Sequence, residues 1–353
     1  MYPCNMGLRV KPIQGSERKE DMNTEEWNPG KFLQISGSYW MSCALHAGVK
    51  LDIFTVLGNQ LLTGREIAQK LDGDPRGVMM LLNALAAMNL LIKKGEVYSN
   101  TPAAYSFLAK DSSQYIGHII THHHHLMESW YQLAEGVTTG KPVRTRAAFS
   151  NEEWRESFLM GMFNMAMLAG PKIAEFIDLG QRRHLLDLGG GPGTYAILFC
   201  LKNPDLKATV YDLTTTRPFA EKTIARYGLS DRIIFQDGDY DEGDIRGSFD
   251  AIWLSQILHA EGPEAAQKII QKVVSVLEPG GLILIHEFLL NPEMDGPIFP
   301  ALFSLNMLLG TDHGQSYSEL QIIEMLARAG AKDIRRLPLQ GPNDSGVIQG
   351  VRK

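Results

Sequence analysis

Hydrophobic positions in residues 27–111 recur at helical spacing, with short polar breaks between the runs. Apolar side chains follow a three-and-four spacing in GSYWMSCALHAGVKLDIFTVL, which predicts one helix over residues 37–57. A second helix is predicted in TGREIAQKL, where Thr63 has the N-cap position and Glu66 completes a capping box. A third begins after Asp74 in DPRGVMMLLNALAAMNLL.

A hairpin is predicted after these helices, in IKKGEVYSNT around Gly95. Three helices and a hairpin form a winged-helix arrangement, and winged helices often bind DNA through groove-facing polar side chains. The candidate recognition helix offers Arg76 and Asn83 but is otherwise Met, Leu and Ala, which suits packing on another protein surface. We therefore expect this domain to form a homodimer, with no nucleic-acid partner; a DNA-binding regulator is the weakest alternative.

From residue 181 onward the pattern becomes an alternation of strands and helices. Strands are predicted in HLLDLGG, KATVYDL, RIIFQDGD, FDAIWLS and GLILIHEFLL, and helices in TYAILFCLKN, RPFAEKTIARYG and EAAQKIIQKVVSVL. This alternation predicts an α/β fold with a parallel, doubly wound, Rossmann-like sheet, whose ligands bind beyond the carboxyl ends of the strands. The predicted domains are a flexible arm (1–26), the winged helix (27–111), connecting helices (112–180) and the Rossmann-like domain (181–353).

Composition and charge narrow the function classes only modestly. A net charge of −6 gives no electrostatic reason for a polyanion partner. Cys4, Cys43 and Cys200 lie far apart without CxxC spacing, which argues against disulfides or a thiolate metal site and suits the cytosol. Neither a signal-peptide core nor an apolar run of the ~18–20 residues that a membrane helix needs is visible, so we expect a cytoplasmic protein with no membrane partner.

Four consecutive histidines, His122 to His125, fall in the connecting helices. Neighbouring residues on a helix point in different directions, so the run itself cannot converge on one ion. The face made by His118, His122 and His125 could converge, but no carboxylate or thiolate at matching spacing joins it. We therefore predict no metal site, and a polar helix face or pocket lining instead.

A glycine-rich loop, LLDLGGGPGTYAI, joins the first strand of the Rossmann-like region to its first helix. Glycine lets the backbone turn sharply and approach a ligand closely. Counting from Gly191, GPGTYA satisfies the dinucleotide pattern G-x-G-x-x-G/A, with Asp212 some twenty residues further on. An NAD-dependent oxidoreductase is therefore a serious alternative.

Three carboxylates on consecutive strand ends favour S-adenosylmethionine over NAD. Asp187 lies two residues before Gly189, where it can help to hold the cationic amino-acid end of the ligand. Asp212 ends the next strand and suits hydrogen bonds from ribose hydroxyls. Asp239 follows the third strand beside Tyr240, where the pair can hold the adenine edge, and a dinucleotide site needs no carboxylate there.

These motifs resemble the S-adenosylmethionine-dependent O-methyltransferases of the caffeate and acetylserotonin type. The similarity runs from about Trp27 to the C-terminus, with ILHAEGPEAAQKIIQKVVSVLEPGGLILIHE among its most specific pieces and LFSLNMLL closest to the acetylserotonin branch. Members of that family are homodimers with an N-terminal winged-helix dimerisation domain. The resemblance implies methyl transfer to the hydroxyl of a small aromatic or heteroaromatic acceptor.

The resemblance also implies residue roles. A lone histidine is more often an ordinary loop residue, but His259 occupies the position of the general base, and Glu287 that of the glutamate which holds it. The family's binding positions for the methyl donor fall on Gly189, Asp212, Leu213, Asp239 and Tyr240. We also expect Asp187, Gly191 and Ser255 to bind the donor. Acceptor-pocket positions fall on Met162, Phe163 and Asn306, beside the apolar Met165, Met167, Phe303 and Met307.

The chain departs from the family pattern at three places near the predicted base. The usual His-Asp-Trp is His259-Ala260-Glu261 here, which removes a neighbouring acid and an aromatic ring. A lysine common four residues before the histidine is Ser255. A second carboxylate is replaced by Ser316, for which Glu319 is a candidate substitute. These departures concern the proton transfer more than the fold or the donor site.

Overall fold

The computed structural model describes residues 27–146 and 151–353, so the predicted arm over residues 1–26 lies outside it. The described residues divide into two units, with the boundary between Ser42 and Cys43. In the first unit, α1 (Pro29–Gly37) begins after Asn28, whose side chain accepts a hydrogen bond from the Lys31 N–H. The large apolar side chains of this unit are exposed: Trp27, Phe32, Leu33, Ile35, Tyr39, Trp40 and Met41.

A helical region with one small sheet follows. Its elements are α2 (Tyr39–Lys50), α3 (Ile53–Leu57), β1 (Leu62–Thr63), α4 (Gly64–Lys70), α5 (Pro75–Ala87), β2 (Leu91–Lys94), β3 (Val97–Asn100) and α6 (Pro102–Leu108). The strands pair antiparallel in the order β1-β3-β2, and β2 and β3 form the predicted hairpin around Gly95. The capping box of Thr63 and Glu66 is confirmed, and Asp74 caps α5 as expected.

The single helix expected over residues 37–57 is wrong, because the chain breaks between α2 and α3. Asp52 takes a left-handed backbone conformation, with φ of 57°. The break turns α3 so that Phe54 and Leu57 are both fully buried, in the same core as Leu82 of α5. The apolar spacing therefore predicted correctly which residues are buried, but it did not predict that the helix is interrupted.

Connecting helices lie between this region and the large sheet: α7 (Gly117–Tyr131), α8 (Leu133–Thr139) and α9 (Glu152–Phe176). Helices α7 and α9 pack closely, since a Cβ at Gly161 would lie 3.0 Å from the Cα of Ile119. Among the described residues, no helix is long and apolar enough to cross a membrane.

The remaining elements form the α/β domain. They are β4 (His184–Leu188), α10 (Thr194–Lys202), β5 (Lys207–Asp212), α11 (Arg217–Arg226), β6 (Ile233–Asp237), β7 (Phe249–Ser255), α12 (Pro263–Val276), β8 (Leu277–Leu290), α13 (Ile298–Gly310), β9 (Tyr317–Ser318), α14 (Glu319–Arg328), β10 (Ala331–Gln340) and β11 (Ser345–Arg352). The large sheet has the order β10-β11-β8-β7-β4-β5-β6, with β9 beside the end of β8. The predicted α/β fold class is confirmed.

One strand departs from the purely parallel sheet that we expected. Strand β11 runs antiparallel to both of its neighbours, β8 and β10. Only residues 341–344 connect β10 to β11, and so short a connection allows antiparallel pairing alone. From β6 to β8 the order is that of the first five strands of dinucleotide-binding sheets, so the departure from those sheets lies at β11 and β10.

The strand order reverses at β4, because β5 follows on one side and β7 lies on the other. Ligands of such sheets bind at this reversal, beyond the carboxyl ends of the strands. The glycine loop follows β4 at that point. In the β7–β8 pair Ser255 lies opposite His286, so the segments after Ser255 and the side chain of Glu287 share the same edge.

Candidate active site

The glycine loop after β4 is tight at its first glycine and open at its third. Gly189 has φ of +60°, and a Cβ there would lie 2.2 Å from Cδ1 of Ile257. At Gly191, with φ of +55°, a Cβ would meet nothing within 4 Å. A side chain is therefore excluded at Gly189 by sterics, while the loop at Gly191 leaves space for a ligand to approach.

Asp187 lies beneath this loop, only 2% exposed, and accepts a hydrogen bond from the Ala196 N–H at 3.1 Å. It therefore caps the first turn of α10 as well as facing the loop. Burial raises the pKa of Asp187 to about 7, against the opposing effect of the Ala196 hydrogen bond, and the neighbouring Asp212 raises it further. A cationic ligand group nearby would stabilise its charged form.

Asp212, at the end of β5, is tied to the glycine loop. Its Oδ2 accepts the Gly191 N–H at 2.8 Å, and its Oδ1 accepts the Leu213 N–H at 2.7 Å and the Thr216 hydroxyl at 3.0 Å. Burial raises the pKa of this carboxyl, and the hydrogen bonds from Gly191 and Leu213 oppose that rise. The structure thus brings the predicted donor residues of the first two strands together.

The acidic loop after β6 is held by a lysine that the sequence reasoning missed. Lys272 of α12 donates from Nζ to the carbonyls of Tyr240, Asp241 and Gly243, at 2.6, 3.2 and 2.9 Å. Asp239 accepts the Asp241 N–H at 2.9 Å through Oδ1. Three bonds from one ammonium fix the backbone of this loop.

Tyr240 connects the acidic loop to two further residues. Its Cε1 lies 3.8 Å from the position that a Cβ would take at Gly189, so the ring borders the glycine loop. Its hydroxyl accepts a hydrogen bond from Arg146 Nη2 at 3.2 Å, and Arg146 Nη1 pairs with Glu261 Oε1 at 2.9 Å. Glu261 stands where the family has an aromatic residue. No sequence pattern marked Arg146, which precedes the gap in the described residues.

The predicted base and its partner lie at hydrogen-bond distance. His259 Nδ1 is 2.8 Å from Oε2 of Glu287. Glu287 is 2% exposed, and its Oε1 accepts the N–H groups of Ile257 and Leu258, each at 2.8 Å. Ile257 in turn touches the glycine loop at Gly189. One buried carboxylate therefore sets both the ring of His259 and the backbone that borders the donor site.

Aromatic rings surround His259. Phe303 of α13 meets the imidazole edge-on with centroids 4.8 Å apart, and Phe288 lies parallel to it at 6.3 Å. Phe299 packs against Phe288 at 4.9 Å. Within the described parts of the chain, Nε2 of His259 has no hydrogen-bond partner, because the only bond of its ring is the one through Nδ1.

Two residues near the base have other partners. The Ser255 hydroxyl lies 2.9 Å from His286 Nδ1, and His286 Nε2 lies 3.0 Å from the Ser345 hydroxyl, which ties β7, β8 and β11 together. Burial lowers the pKa of His286 to about 4. Ser255 thus bonds within the sheet, and its assignment to the donor site stays a prediction.

Neither Ser316, which stands in place of the family's second carboxylate, nor Glu319, its candidate substitute, has a hydrogen bond to His259. Ser316 is fully buried, and its hydroxyl donates to the carbonyl of Pro300 at 2.8 Å. Glu319 accepts from Arg336 at 3.2 Å in an ion pair whose side chains are each more than a third exposed. Glu287 is the carboxylate bonded to His259.

The predicted acceptor residues fall into two groups. Asn306 lies on α13 one turn beyond Phe303, and both its backbone carbonyl and its Oδ1 accept hydrogen bonds from Arg144 Nη2, each at 3.2 Å. Phe163 is buried, and Met162 packs against the core of the N-terminal helices. The structure therefore places Asn306 beside the base's aromatic neighbour but gives Met162 a packing role.

The histidine run lies on α7, with His122 buried against Phe158 and His125 stacked on Trp154. Burial lowers the pKa of His122 to about 3 and also lowers that of His123, His124 and His125. Residues 27–146 and 151–353 contain no group of three or more His, Cys, Asp or Glu side chains arranged to hold a metal ion.

Comparison with known proteins identifies one enzyme family. An O-methyltransferase domain matches residues 121–332, and an O-methyltransferase dimerisation domain matches residues 33–110. The chain is 30% identical over 330 residues to 3-hydroxy-5-methyl-1-naphthoate 3-O-methyltransferase of Streptomyces sahachiroi, covering 92% of this chain and 95% of that protein. It is 27% identical to acetylserotonin O-methyltransferase of Gallus gallus, covering 87% and 93%.

The fold matches solved structures over nearly its whole length. The structure of PigF, a methyltransferase of a Serratia species, superposes with a TM-score of 0.85 at 26% identity, covering 92% of this chain and 100% of that chain, and it contains S-adenosylhomocysteine. The domain match, which spans more than half of the chain, and the identity over 330 residues agree on one family. The protein belongs to the S-adenosylmethionine-dependent O-methyltransferases.

Proposed function

We propose that the protein methylates the hydroxyl group of an aromatic acceptor, with His259 as the general base and Glu287 as the residue that orients it. The observation that carries this proposal is the 2.8 Å contact between His259 Nδ1 and Glu287 Oε2. The contact directs Nε2 away from Glu287, and Ile257 links this segment to the glycine loop. The base therefore borders the donor site.

The residues around the glycine loop fit S-adenosylmethionine, which supplies an electrophilic methyl group when bound. Gly189 and Gly191 would carry the backbone against the ligand, and Asp212 and Asp239 would accept hydrogen bonds from its polar groups. The fit rests on charge. Burial raises the pKa of Asp187 to about 7, because the ionised carboxylate is poorly solvated. A cationic ligand would stabilise that carboxylate.

The chemistry required of the chain is positioning and proton removal. A phenolic hydroxyl has a pKa near ~10, so it is almost entirely protonated at neutral pH. His259 accepts that proton on Nε2 as the oxygen becomes nucleophilic, a contribution of typically ~10²–10⁴-fold. Glu287 keeps Nδ1 protonated and stabilises the imidazolium that forms. The rings of Phe288 and Phe303 exclude water from one side of the base.

The acceptor class follows from the aromatic surroundings and from the relatives. Relatives named above act on a hydroxynaphthoate and on acetylserotonin, both fused-ring aromatics. Phe288, Phe299 and Phe303 offer faces and edges against which a flat ring packs favourably. We therefore propose a hydroxylated fused-ring aromatic acceptor.

The NAD alternative is disfavoured on electrostatic grounds. A pyrophosphate at the glycine loop would lie beside Asp187, a buried carboxylate whose pKa burial raises to about 7. Asp212 does not separate the two ligands, because an acidic residue at this position also suits the ribose of a dinucleotide. The sheet departs from the classic dinucleotide-binding arrangement only at its far edge, where the antiparallel β11 lies between β8 and β10. Titration with NAD and with S-adenosylhomocysteine separates these readings, since heat of binding is expected only from the second.

We also propose that the protein is a homodimer through its N-terminal domain. Phe32 and Trp40 are 59% and 69% exposed in the single chain, an apolar surface that a soluble monomer seldom presents. Light scattering is expected to give a dimer mass, and Phe32→Ser with Trp40→Ser is expected to give a monomer. Leu201→Ser, at a 50% exposed position on α10, is the matched control and should remain dimeric.

The enzymatic proposal is tested with labelled donor and a panel of hydroxylated aromatics, scored by mass spectrometry. Wild type should transfer the methyl group to oxygen, while His259→Gln should lose transfer and still bind S-adenosylhomocysteine with unchanged affinity. Transfer by His259→Gln at the wild-type rate would remove the base from the mechanism.

A further inference from the structure

Arg144 is a half-buried cation beside the proposed acceptor site, and the mechanism makes no use of it. It lies between α8 and α9, where the backbone N–H groups of Val143 and Arg144 both donate to the carbonyl of Leu309. Its guanidinium packs on α13, since a Cβ at Gly310 would lie 2.6 Å from Cζ. The charge is therefore fixed against the helix that carries Phe303.

The guanidinium is poorly satisfied by the protein. Nη2 donates to the carbonyl and to Oδ1 of Asn306, each at 3.2 Å. Nε is buried and has no hydrogen-bond partner. Within residues 27–146 and 151–353, Arg144 forms no ion pair, and burial lowers its pKa without an opposing carboxylate. A cation removed from water is normally compensated by an anion.

An open cavity adjoins this cation. Its volume is about 330 Å³, and Arg144, His125 and Trp154 are among its lining residues. His125 and Trp154 stack on each other with centroids 4.6 Å apart and an interplanar angle of 5°, so a pair of aromatic rings forms part of the lining. Glu128 also lines it but is exposed and forms no ion pair with Arg144.

The cavity and the base are connected through α13. Asn306 holds Arg144, and Phe303, three residues earlier on the same helix, meets the ring of His259 at 4.8 Å. Side chains three residues apart lie on the same face of a helix, so the base's aromatic neighbour and the residue that holds the cation face the same side of α13. An acceptor lying along this face would present its hydroxyl to His259 and an anionic substituent to Arg144.

Resting on the proposed function, we propose that the acceptor is an aromatic hydroxy acid whose carboxylate binds Arg144. A carboxylate suits this site because the planar guanidinium offers several donors in fixed geometry and the resulting bonds are charge-assisted. The stacked pair of His125 and Trp154 would receive the ring that bears the acid. Arg144 thereby selects acidic acceptors over neutral ones.

The test compares three acceptors: 3-hydroxy-1-naphthoic acid, its methyl ester and 2-naphthol. Binding to protein saturated with S-adenosylhomocysteine is measured by calorimetry, and methylation is measured separately by kcat/KM. The acid is expected to bind wild type about 10- to 100-fold more tightly than the ester, as a charge-assisted pair predicts. Equal or weaker binding of the acid overturns the inference.

Variants locate the effect. Arg144→Gln should abolish the preference for the acid while leaving 2-naphthol and S-adenosylhomocysteine binding unchanged, and Arg144→Lys should retain part of it. Arg183→Gln makes the same change at an exposed ion pair with Asp205 and should keep the full preference. A preference that survives Arg144→Gln contradicts the assignment.

The binding and transfer measurements separate this inference from the proposed function. If the acid binds preferentially but no acceptor is methylated, recognition by Arg144 stands and the O-methylation proposal fails. If neutral acceptors are bound and methylated as well as the acid, the O-methylation proposal stands and this inference fails.

Discussion

Arg146 and Glu261 form a partly buried ion pair at 2.9 Å that joins the segment after α8 to the turn that follows His259. The same guanidinium donates to the Tyr240 hydroxyl at 3.2 Å, and the carbonyl of Glu261 accepts from Tyr317 at 2.5 Å. The acidic loop of the donor site and the turn beside the base are therefore held by one cation. The glutamate at position 261 therefore has a structural role, which is to bind Arg146.

Glu261→Gln should weaken donor binding, because a neutral amide holds Arg146 less strongly and Arg146 supports Tyr240. Loss of one charge-assisted hydrogen bond is worth about 1.5–3 kcal/mol, so the Kd for S-adenosylhomocysteine should rise by about 10- to 100-fold. Calorimetry on Glu261→Gln, Arg146→Gln and the double variant tests the coupling, since the double change should cost no more than Arg146→Gln alone. The exposed pair of Glu324 and Arg328 supplies the control Glu324→Gln, which should bind normally.

Glu287→Gln should lower kcat by about 10²–10⁴-fold, the range of a general-base contribution, because the amide no longer stabilises the imidazolium of His259. The Gln oxygen can still accept the N–H groups of Ile257 and Leu258, so the fold and donor affinity should persist. Single-turnover rates with S-adenosylmethionine measure this effect. A kcat within a factor of two of wild type would show that Glu287 is only a structural residue.

Gly189→Ala should abolish donor binding and destabilise the protein. The alanine would take a left-handed backbone conformation, and its methyl would lie 2.2 Å from Cδ1 and 2.9 Å from Cγ1 of Ile257, so the Ile257 side chain must shift. Backbone strain of this kind costs roughly 1–3 kcal/mol before the clash is added. Gly280 also has positive φ, +75°, but a Cβ there would meet nothing within 4 Å. Gly280→Ala therefore controls for strain alone in the same denaturation and binding measurements.

Acid should destabilise the protein partly through His122. Burial and its charged neighbours lower its pKa to about 3, whereas an unfolded histidine titrates near 6.5. Between those values the unfolded chain binds more protons, so stability is lost as the pH falls below 6.5. At pH 5, about 1.5 pK units below the pKa of the unfolded histidine, protonation of the unfolded state lowers the free energy of unfolding by about 2 kcal/mol.

His122→Gln should remove that share of the pH dependence. The difference in unfolding free energy between pH 7 and pH 5, measured by urea denaturation, should shrink by about 2 kcal/mol relative to wild type. His184→Gln, at an exposed position, should keep the wild-type dependence. An unchanged slope in His122→Gln would place the acid sensitivity at other groups.

Features that depend on near neighbours in the chain were predictable from the sequence. The capping box of Thr63 and Glu66, the hairpin at Gly95 and the strand before the glycine loop all follow from residues within a few positions of one another. Local sterics and hydrogen bonds decide such features, so the residue types and their spacing along the chain predict them. The break at Asp52 was not predicted, because it changes the direction of the helix without changing the spacing of its apolar residues.

The tertiary structure alone decided which buried polar groups meet. Arg144 and Asn306 are 162 residues apart, and Arg146 and Glu261 are 115 apart, so no spacing rule relates them. Ser255 bonds to His286 because β7 and β8 are neighbours in register, and β11 adds Ser345 from the far end of the chain. The sequence determined the elements and marked His259 and Glu287 as candidates. The partner of a buried charge depends on how distant elements pack, because desolvation must be compensated by whatever group the fold brings near.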